Sequence, residues 1–140
     1  MLIFVFVFLV ACVGEVKSEE CLSYEPAKVA LTGTIMRKTF PGPPNYESIE
    51  NGDEPETYWI LKLKKPVCVK GNPDDELNSE TEKNVKNIHL VIDGEKYARY
   101  RHLVSKNVVA QGTLFHAHTA HHRTKVLLMI ISIKPVEERD

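Results

Sequence analysis

Apolar and polar residues alternate along most of this chain, which is the pattern of half-buried β-strands. In the first such segment Val29, Leu31 and Ile35 fall on one face, and in the second Trp59 and Leu61 do so. The last segment is apolar on both faces, as a fully buried strand would be. The pattern predicts five strands, at 27–36, 57–69, 87–92, 108–115 and 126–133.

One segment has helical spacing instead. Asp93 can cap a helix at 94–104, in which Tyr97, Tyr100 and Val104 lie on one face. Five strands with one helix between the third and the fourth is the element order of the OB-fold, a partly open barrel. We therefore predict an all-β fold with one helix, an OB-fold-like five-stranded antiparallel barrel, as a single domain at 19–140. Gly33 and Gly112 would lie where its strands bend.

Two predicted loops differ in composition. The loop at 70–86 is polar throughout, whereas the loop at 37–57 combines prolines, glycines and acids with Phe40, Tyr46 and Ile49. We expect these three apolar side chains to fold the longer loop back onto the domain. In an OB-fold the loops joining strands one and two and strands four and five flank the binding face. The loop 37–57 and the turn 116–124 would therefore meet at one site.

The turn 116–124 carries the most distinctive chemistry. It holds four of the six histidines of the chain, namely His116, His118, His121 and His122. Strand alternation would put His116 and His118 on one face, and three histidines plus water is an ordinary zinc arrangement. A metal site would use His116, His118 and His121, and the acid that usually orients such ligands or serves as base would come from the other loop. The candidate acids are Glu47, Glu50, Asp53, Glu54 and Glu56.

Two other interpretations of the histidines remain open. They can form hydrogen bonds to the turn and to the long loop, where His116 and His118 would contact the aromatic side chains, or they can act as acid–base catalysts. Arg123 could pair with an acid of the loop or with an anion, and the isolated His89 and His102 are expected at the surface or at the border of the core. The candidate binding residues are Phe40, Tyr46, His116, His118, His121, His122 and Arg123.

The amino terminus predicts export. The run MLIFVFVFLVACV is apolar but shorter than the about 20 residues that span a bilayer, and it fits the core of a signal peptide at 1–18. We expect a periplasmic or secreted protein without a transmembrane helix once the signal is removed. Two processing sites compete. Cleavage before Glu19 would release the chain, whereas a lipobox ending at Cys12 would make that cysteine the lipidated first residue.

Beyond residue 18 the chain has two cysteines, Cys21 and Cys68. An even number of cysteines in an exported chain indicates a disulfide. Two free buried thiols are the alternative. A disulfide requires the first two strands to be antiparallel, with the long loop at the far end.

Charge and motifs exclude several functions. The formal net charge is -1, and removing residues 1–18 takes away one base, Lys17, and one acid, Glu15, so it does not change. Nucleic-acid binders usually carry a basic excess, so we predict no nucleic-acid partner. The sequence has neither a glycine-rich phosphate loop nor a serine nucleophile in a strand–turn–helix elbow. We predict no cofactor, with zinc as the alternative.

Several segments resemble a bacterial family known as domain of unknown function 4431. They are CLSYEP at 21–26, FPGPPNYESIENGDEPETYW at 40–59, YARYR at 97–101 and GTLFHAHTAHHRTKVLL at 112–128. The resemblance covers most of the chain after the signal, and the histidine-rich turn is its most distinctive motif. It implies an exported setting and no established activity.

These observations favour a non-enzymatic binding module of the cell envelope. It would present the loop 37–57 and the turn 116–124 to a protein or a small ligand, and antagonism of a secreted toxin is one version of this role. The alternative function is a metal-dependent hydrolase that uses His116, His118, His121 and His122.

Overall fold

The computed structural model describes Gly14 and residues 20–137. The predicted signal peptide at 1–18 and the lipidation site at Cys12 lie outside the described residues. Short 3₁₀ turns occur at Glu76–Asn78 and Arg101–Leu103. The strands are β1 (Leu22–Ser23), β2 (Lys28–Pro41), β3 (Pro55–Lys70), β4 (Glu82–Val91), β5 (Asn107–His116) and β6 (Val126–Pro135), with the helix α1 (Gly94–Tyr100) between β4 and β5.

The five long strands form a closed ring. The order along the sheet is β1-β3-β2-β5-β6-β4, and an additional pairing of β3 with β4 joins its ends. The predicted fold class is confirmed, because the chain is mostly β with one short helix in the expected place. The expectation that all five long strands pair in antiparallel fashion is wrong for one of their pairs. β4 and β6 run parallel, with Leu90 opposite Leu128, because α1 carries the chain across the ring between β4 and β5.

The apolar faces of the strands fill the inside of the ring. The predicted alternation is confirmed in β2, where Leu31 and Ile35 are buried and Thr32 is exposed. Side chains without measurable exposure come from all five long strands; they include Ile35, Leu61, Ile88, Val108, Leu114, Val126 and Leu128. Burying each of them stabilises the fold by about 1.5–3 kcal/mol. This shared core restricts how the strands can pair, because a slip of one residue would turn an apolar face to solvent.

Two glycines permit the strands to approach closely. A Cβ atom on Gly33 would collide with the carbonyl group of Lys62, and one on Gly112 with the carbonyl group of Met129. The register between β5 and β6 shifts between Gln111 and Gly112. Such a shift is typical of a β-bulge. The expected role of both glycines at tight places in the ring is confirmed.

The predicted boundaries need three corrections. The long loop spans 42–54 and not 37–57, because β2 and β3 continue as a hairpin as far as the pair Pro41 and Pro55. The strand predicted at 87–92 begins at Glu82, inside the predicted loop 70–86. The helix ends at Tyr100 and not at 104, and a 3₁₀ turn follows it. Its cap is confirmed, since the Asp93 side chain accepts the backbone N–H of Lys96 at 2.8 Å.

The predicted disulfide between Cys21 and Cys68 is confirmed. It attaches the short strand β1 to β3, beside the parallel pair Leu22 and Val69. Strand β1 has only two residues, too few for an alternating pattern to reveal it. Among the described residues, no helix is long and apolar enough to cross a membrane.

Candidate functional site

The loop 42–54 and the histidine-rich turn, which spans 117–125 and not 116–124, meet at one end of the ring, as predicted. The hydroxyl of Tyr46 lies 3.1 Å from Nε2 of His121, and their rings meet at right angles with centroids 5.3 Å apart. His116 and His118 do not make this contact, which corrects the expectation that they hold the loop. Ile49 does not hold it either, because 43% of its surface is exposed.

Arg123 is the centre of this contact. Its guanidinium carbon lies 5.4 Å from the ring centroids of Phe40 and Tyr46 and 5.5 Å from that of Tyr58. A guanidinium group at this distance from a ring face is attracted by the ring quadrupole. Its Nη2 atom donates to Oε2 of Glu56 at 2.8 Å, and the side chain is only 7% exposed. The pairing expected between Arg123 and an acid of the long loop is therefore present, although Glu56 lies at the start of β3.

The same oxygen of Glu56 accepts two further hydrogen bonds. The Tyr58 hydroxyl donates at 2.6 Å, and Nδ1 of His121 lies at 3.3 Å. These donors stabilise the carboxylate, so they hold the pKa of Glu56 below its usual value, with the Tyr58 bond as the largest cause. Burial, followed by the same carboxylate, raises the pKa of Tyr58. Glu56 is one of the five acids that were named as candidates from the sequence.

Asp53 organises the loop itself. Its carboxylate accepts the backbone N–H groups of Asn45 at 2.8 Å, Glu47 at 2.7 Å and Ser48 at 2.9 Å. These bonds lower the pKa of Asp53, with that to Ser48 as the largest contribution. They enclose Tyr46, whose φ of 57° lies in the left-handed region that few non-glycine residues adopt. Asp53 therefore holds Tyr46 in the conformation that reaches His121.

His118 and His122 organise the turn. Nδ1 of His122 accepts the backbone N–H of His118 at 3.0 Å and that of Thr119 at 3.3 Å. A nitrogen that accepts two N–H groups carries no proton, so this ring is neutral in the folded turn. Burial, followed by the charges of His118 and His121, lowers the pKa of His122. The rings of His118 and His122 contact each other with centroids 4.6 Å apart.

His89 belongs to the site, although sequence analysis expected it at the surface or the border of the core. It is only 4% exposed, and its Nδ1 accepts the backbone N–H of Arg123 at 3.2 Å. Its ring lies 4.6 Å from that of Tyr58. Burial, then the charges of His122 and Arg123, lowers the pKa of His89 to about 4. Its position in an apolar strand next to the predicted binding face was the one available signal.

Beside these contacts lies a cavity of about 370 Å³, which we call the ring-lined cleft. It lies between β3, β4, α1 and the turn. Trp59 and Tyr97 form one wall, with ring centroids 4.9 Å apart and planes inclined by 31°. The residues around it are Thr57, Tyr58, Trp59, His89, Leu90, Val91, Ile92, Tyr97, His121 and His122.

The predicted metal ligands are not brought together. His121 faces Tyr46 and Glu56, and His118 packs against His122. His116 points to a different part of the surface, where its Nε2 lies 2.9 Å from Oε1 of Glu82. Among the described residues, the group with metal-ligand spacing is Glu80, Glu82 and His116. Sequence analysis missed both glutamates, because they stand in a polar segment without periodicity.

Comparison with protein families confirms the resemblance over residues 87–134, which include the segments 97–101 and 112–128 but not 21–26 or 40–59. Residues 87–134 match the model of DUF4431, a domain of unknown function. The match runs from β4 to β6 and includes His89 and the whole turn 117–125. No curated protein and no solved structure matches the chain.

Proposed function

We propose that this protein is an exported, non-enzymatic binding module of the cell envelope, which holds a small uncharged ligand in the ring-lined cleft. The observation that carries the proposal is the cleft, whose volume of about 370 Å³ lies within the range of small-molecule sites. The cleft lies at β3, β4 and the turn 117–125. These are the second and third long strands and the last turn, where OB-folds bind their ligands. The side chains that line the cleft indicate the kind of ligand.

The electrostatics of the cleft favour an uncharged ligand. The pKa of His89 is lowered to about 4 and that of His122 is lowered as well, so both imidazoles are neutral near pH 7. The charge of Arg123, which lies behind the cleft, is balanced by Glu56. A charged ligand would lose its hydration in this cleft without gaining a free partner of opposite charge.

The aromatic wall favours a ligand with a flat face. Tyr97 is 43% exposed and lies on Trp59, so a ring can stack on this pair. OB-folds take oligosaccharides and oligonucleotides at this face, and a formal net charge of -1 disfavours the oligonucleotides. We therefore propose a sugar unit of a neutral oligosaccharide as the ligand. The Cys21–Cys68 disulfide is typical of oxidising compartments and supports export.

The only tryptophan of the chain, Trp59, lines the cleft and reports on its occupancy. We would titrate the protein with chitotriose and cellotriose and follow tryptophan fluorescence, with the oligonucleotide dT8 as an anionic comparison. At least one trisaccharide should change the emission, and dT8 should not. The variant Tyr97→Ala should weaken binding about tenfold by removing the stacking surface. Ile131→Ala is the matched control, since Ile131 is equally exposed but lies on β6 outside the cleft.

Either of two results would contradict this function. One is that neither trisaccharide changes the tryptophan emission. The other is that the variants Tyr97→Ala and Ile131→Ala bind the trisaccharide equally well. A protein partner, such as a secreted toxin, would instead depend on the exposed loop. In that case Ile49→Ser would weaken the complex and Tyr97→Ala would leave it intact.

A further inference from the structure

Three side chains with metal-binding atoms converge outside the ring-lined cleft. His116 ends β5, Glu82 begins β4, and Glu80 precedes it by two residues. Nε2 of His116 lies 2.9 Å from Oε1 of Glu82 and 3.7 Å from Oε2 of Glu80, and all three ligand atoms lie within 4.8 Å of one another. We propose that these residues bind one divalent transition-metal ion of the zinc type.

The hydrogen bonds of His116 direct a lone pair towards the two carboxylates. Its Nδ1 lies 3.0 Å from the carbonyl oxygen of Ala117, which can only accept, so the ring proton is on Nδ1. In the neutral ring Nε2 then has a lone pair that faces Glu82 and Glu80. Acceptors this close repel one another unless a proton or a metal ion lies between them. A backbone carbonyl that fixes the far nitrogen is also the usual environment of a histidine ligand.

Buried residues fix the backbone beneath two of the ligands. Asn78 is only 1% exposed, and its Oδ1 accepts the backbone N–H of His116 at 2.8 Å. Tyr24 is also buried, and its hydroxyl donates to the backbone carbonyl of Glu80 at 2.9 Å. These bonds place the ligands before an ion arrives, which reduces the entropy lost on binding. Neither Asn78 nor Tyr24 needs to touch the metal.

The donor set selects the kind of ion. One imidazole nitrogen with two carboxylates suits zinc and its neighbours, whereas calcium and magnesium prefer oxygen ligands alone. Ligands about 2.1 Å from a tetrahedral zinc ion stand about 3.4 Å apart. The distances from Nε2 to the two carboxylates, 2.9 Å and 3.7 Å, lie on either side of that value. Glu80, with 73% of its side chain exposed, can complete the small adjustment. A fourth position would remain for water.

The test is calorimetric titration of chelator-treated protein with ZnCl₂, together with CaCl₂ and MgCl₂. We expect one equivalent of zinc to bind, and calcium and magnesium to bind at least a hundredfold more weakly. Glu80→Gln should weaken zinc binding at least tenfold. Glu80→Gln is the most informative variant, because the side chain of Glu80 is exposed and its replacement should not affect folding. Glu76→Gln, an exposed acid outside the cluster, is its matched control and should bind zinc as the wild type does.

His118→Gln and His121→Gln separate this site from the one expected at the turn. Both should retain zinc binding, whereas His116→Gln should lose it. No zinc binding by the wild type would overturn the proposal and mean that a shared proton holds the three side chains together. Zinc binding that is unaffected by Glu80→Gln, or that is lost with His118 or His121, would overturn it too. None of these results depends on a ligand in the ring-lined cleft.

Discussion

The guanidinium group of Arg123 donates to Glu56 at 2.8 Å while the rings of Phe40, Tyr46 and Tyr58 surround it. This one side chain touches the end of β2, the loop 42–54 and the start of β3. An exposed ion pair contributes little to the stability of a protein. Removing one member of a partly buried pair costs more, because the other member is left with an unpaired charge. Arg123 therefore connects the turn to the long loop.

Replacing Arg123 with lysine should destabilise the protein by about 2 kcal/mol, although the charge is kept. Lysine lacks the flat group that fits between aromatic rings. Urea unfolding measures the change, and Arg99→Lys is the matched control. Arg99 pairs with Glu95 on the exposed face of α1, so its replacement should cost less than about 0.5 kcal/mol. Equal effects at the two positions would contradict the role given to Arg123.

Acid should destabilise the fold through His89. Its pKa is about 4 in the folded protein and 6.5 in an unfolded chain, so between these values the unfolded state binds the extra proton. Stability therefore falls as the pH drops from 6.5 to 4, by about 3 kcal/mol. His89→Asn keeps an acceptor for the N–H of Arg123 but cannot titrate, and it should remove most of this dependence. The exposed His102→Asn should not, and a wild-type stability that is flat across this window would refute the assignment.

Asp53→Asn should loosen the loop without unfolding the ring. An amide has a single acceptor oxygen, so the three N–H groups of Asn45, Glu47 and Ser48 cannot all remain satisfied. Hydrogen exchange at 45–48 should become faster while the strands keep their protection. Glu54→Gln removes a charge from an exposed neighbour in the same loop and should leave exchange unchanged. Slow exchange at 45–48 in Asp53→Asn would show that other contacts hold the loop.

Gly112→Ala should destabilise the ring by about 3 kcal/mol, because the added carbon would collide with the carbonyl group of Met129. Thermal unfolding measures the effect. A Cβ on Gly94 at the start of α1 meets nothing within 4 Å, so Gly94→Ala should be neutral or stabilising by up to about 1 kcal/mol. A stable Gly112→Ala variant would mean that β5 and β6 can separate locally.

Removing the disulfide should cost about 4 kcal/mol, since it closes a separation of 47 residues in the unfolded chain. The double variant Cys21→Ala plus Cys68→Ala tests this by urea unfolding. The reduced wild-type protein is the control and should be destabilised to a similar extent. A loss below about 1 kcal/mol would indicate that β1 pairs with β3 firmly enough without the bond.

Alternation of residue types predicts most of the fold, and its failures have physical causes. The ends of β2 and β3 were missed because Pro41 and Pro55 resemble loop residues, although they form the last pair of the hairpin. The first half of β4 was missed because Glu82 to Asn87 is largely polar. The helix was overestimated because a 3₁₀ turn continues its apolar spacing through Leu103.

The sequence predicted where the site lies, but it did not predict which residues contact each other there. The order of the elements brings the long loop to the histidine-rich turn, and the composition of both segments marked them. Which residues meet there depends on the register between β2 and β3, which places Glu56 opposite Phe40 and so beside Arg123. Sequence patterns carry no signal for such a contact between residues 67 positions apart.

Closure of the sheet also affects whether copies of this protein can associate through their strands. A strand at a free sheet edge offers unpaired backbone groups to other chains and promotes aggregation. Here each of the five long strands has a neighbour on both sides, and β1 covers part of β3. Where a strand is paired on both sides, strand addition from a second copy would first have to break pairs within the ring. We therefore expect these doubly paired stretches to stay out of intermolecular β-sheet at high concentration, even though Met129 and Ile131 lie exposed on the surface of the domain.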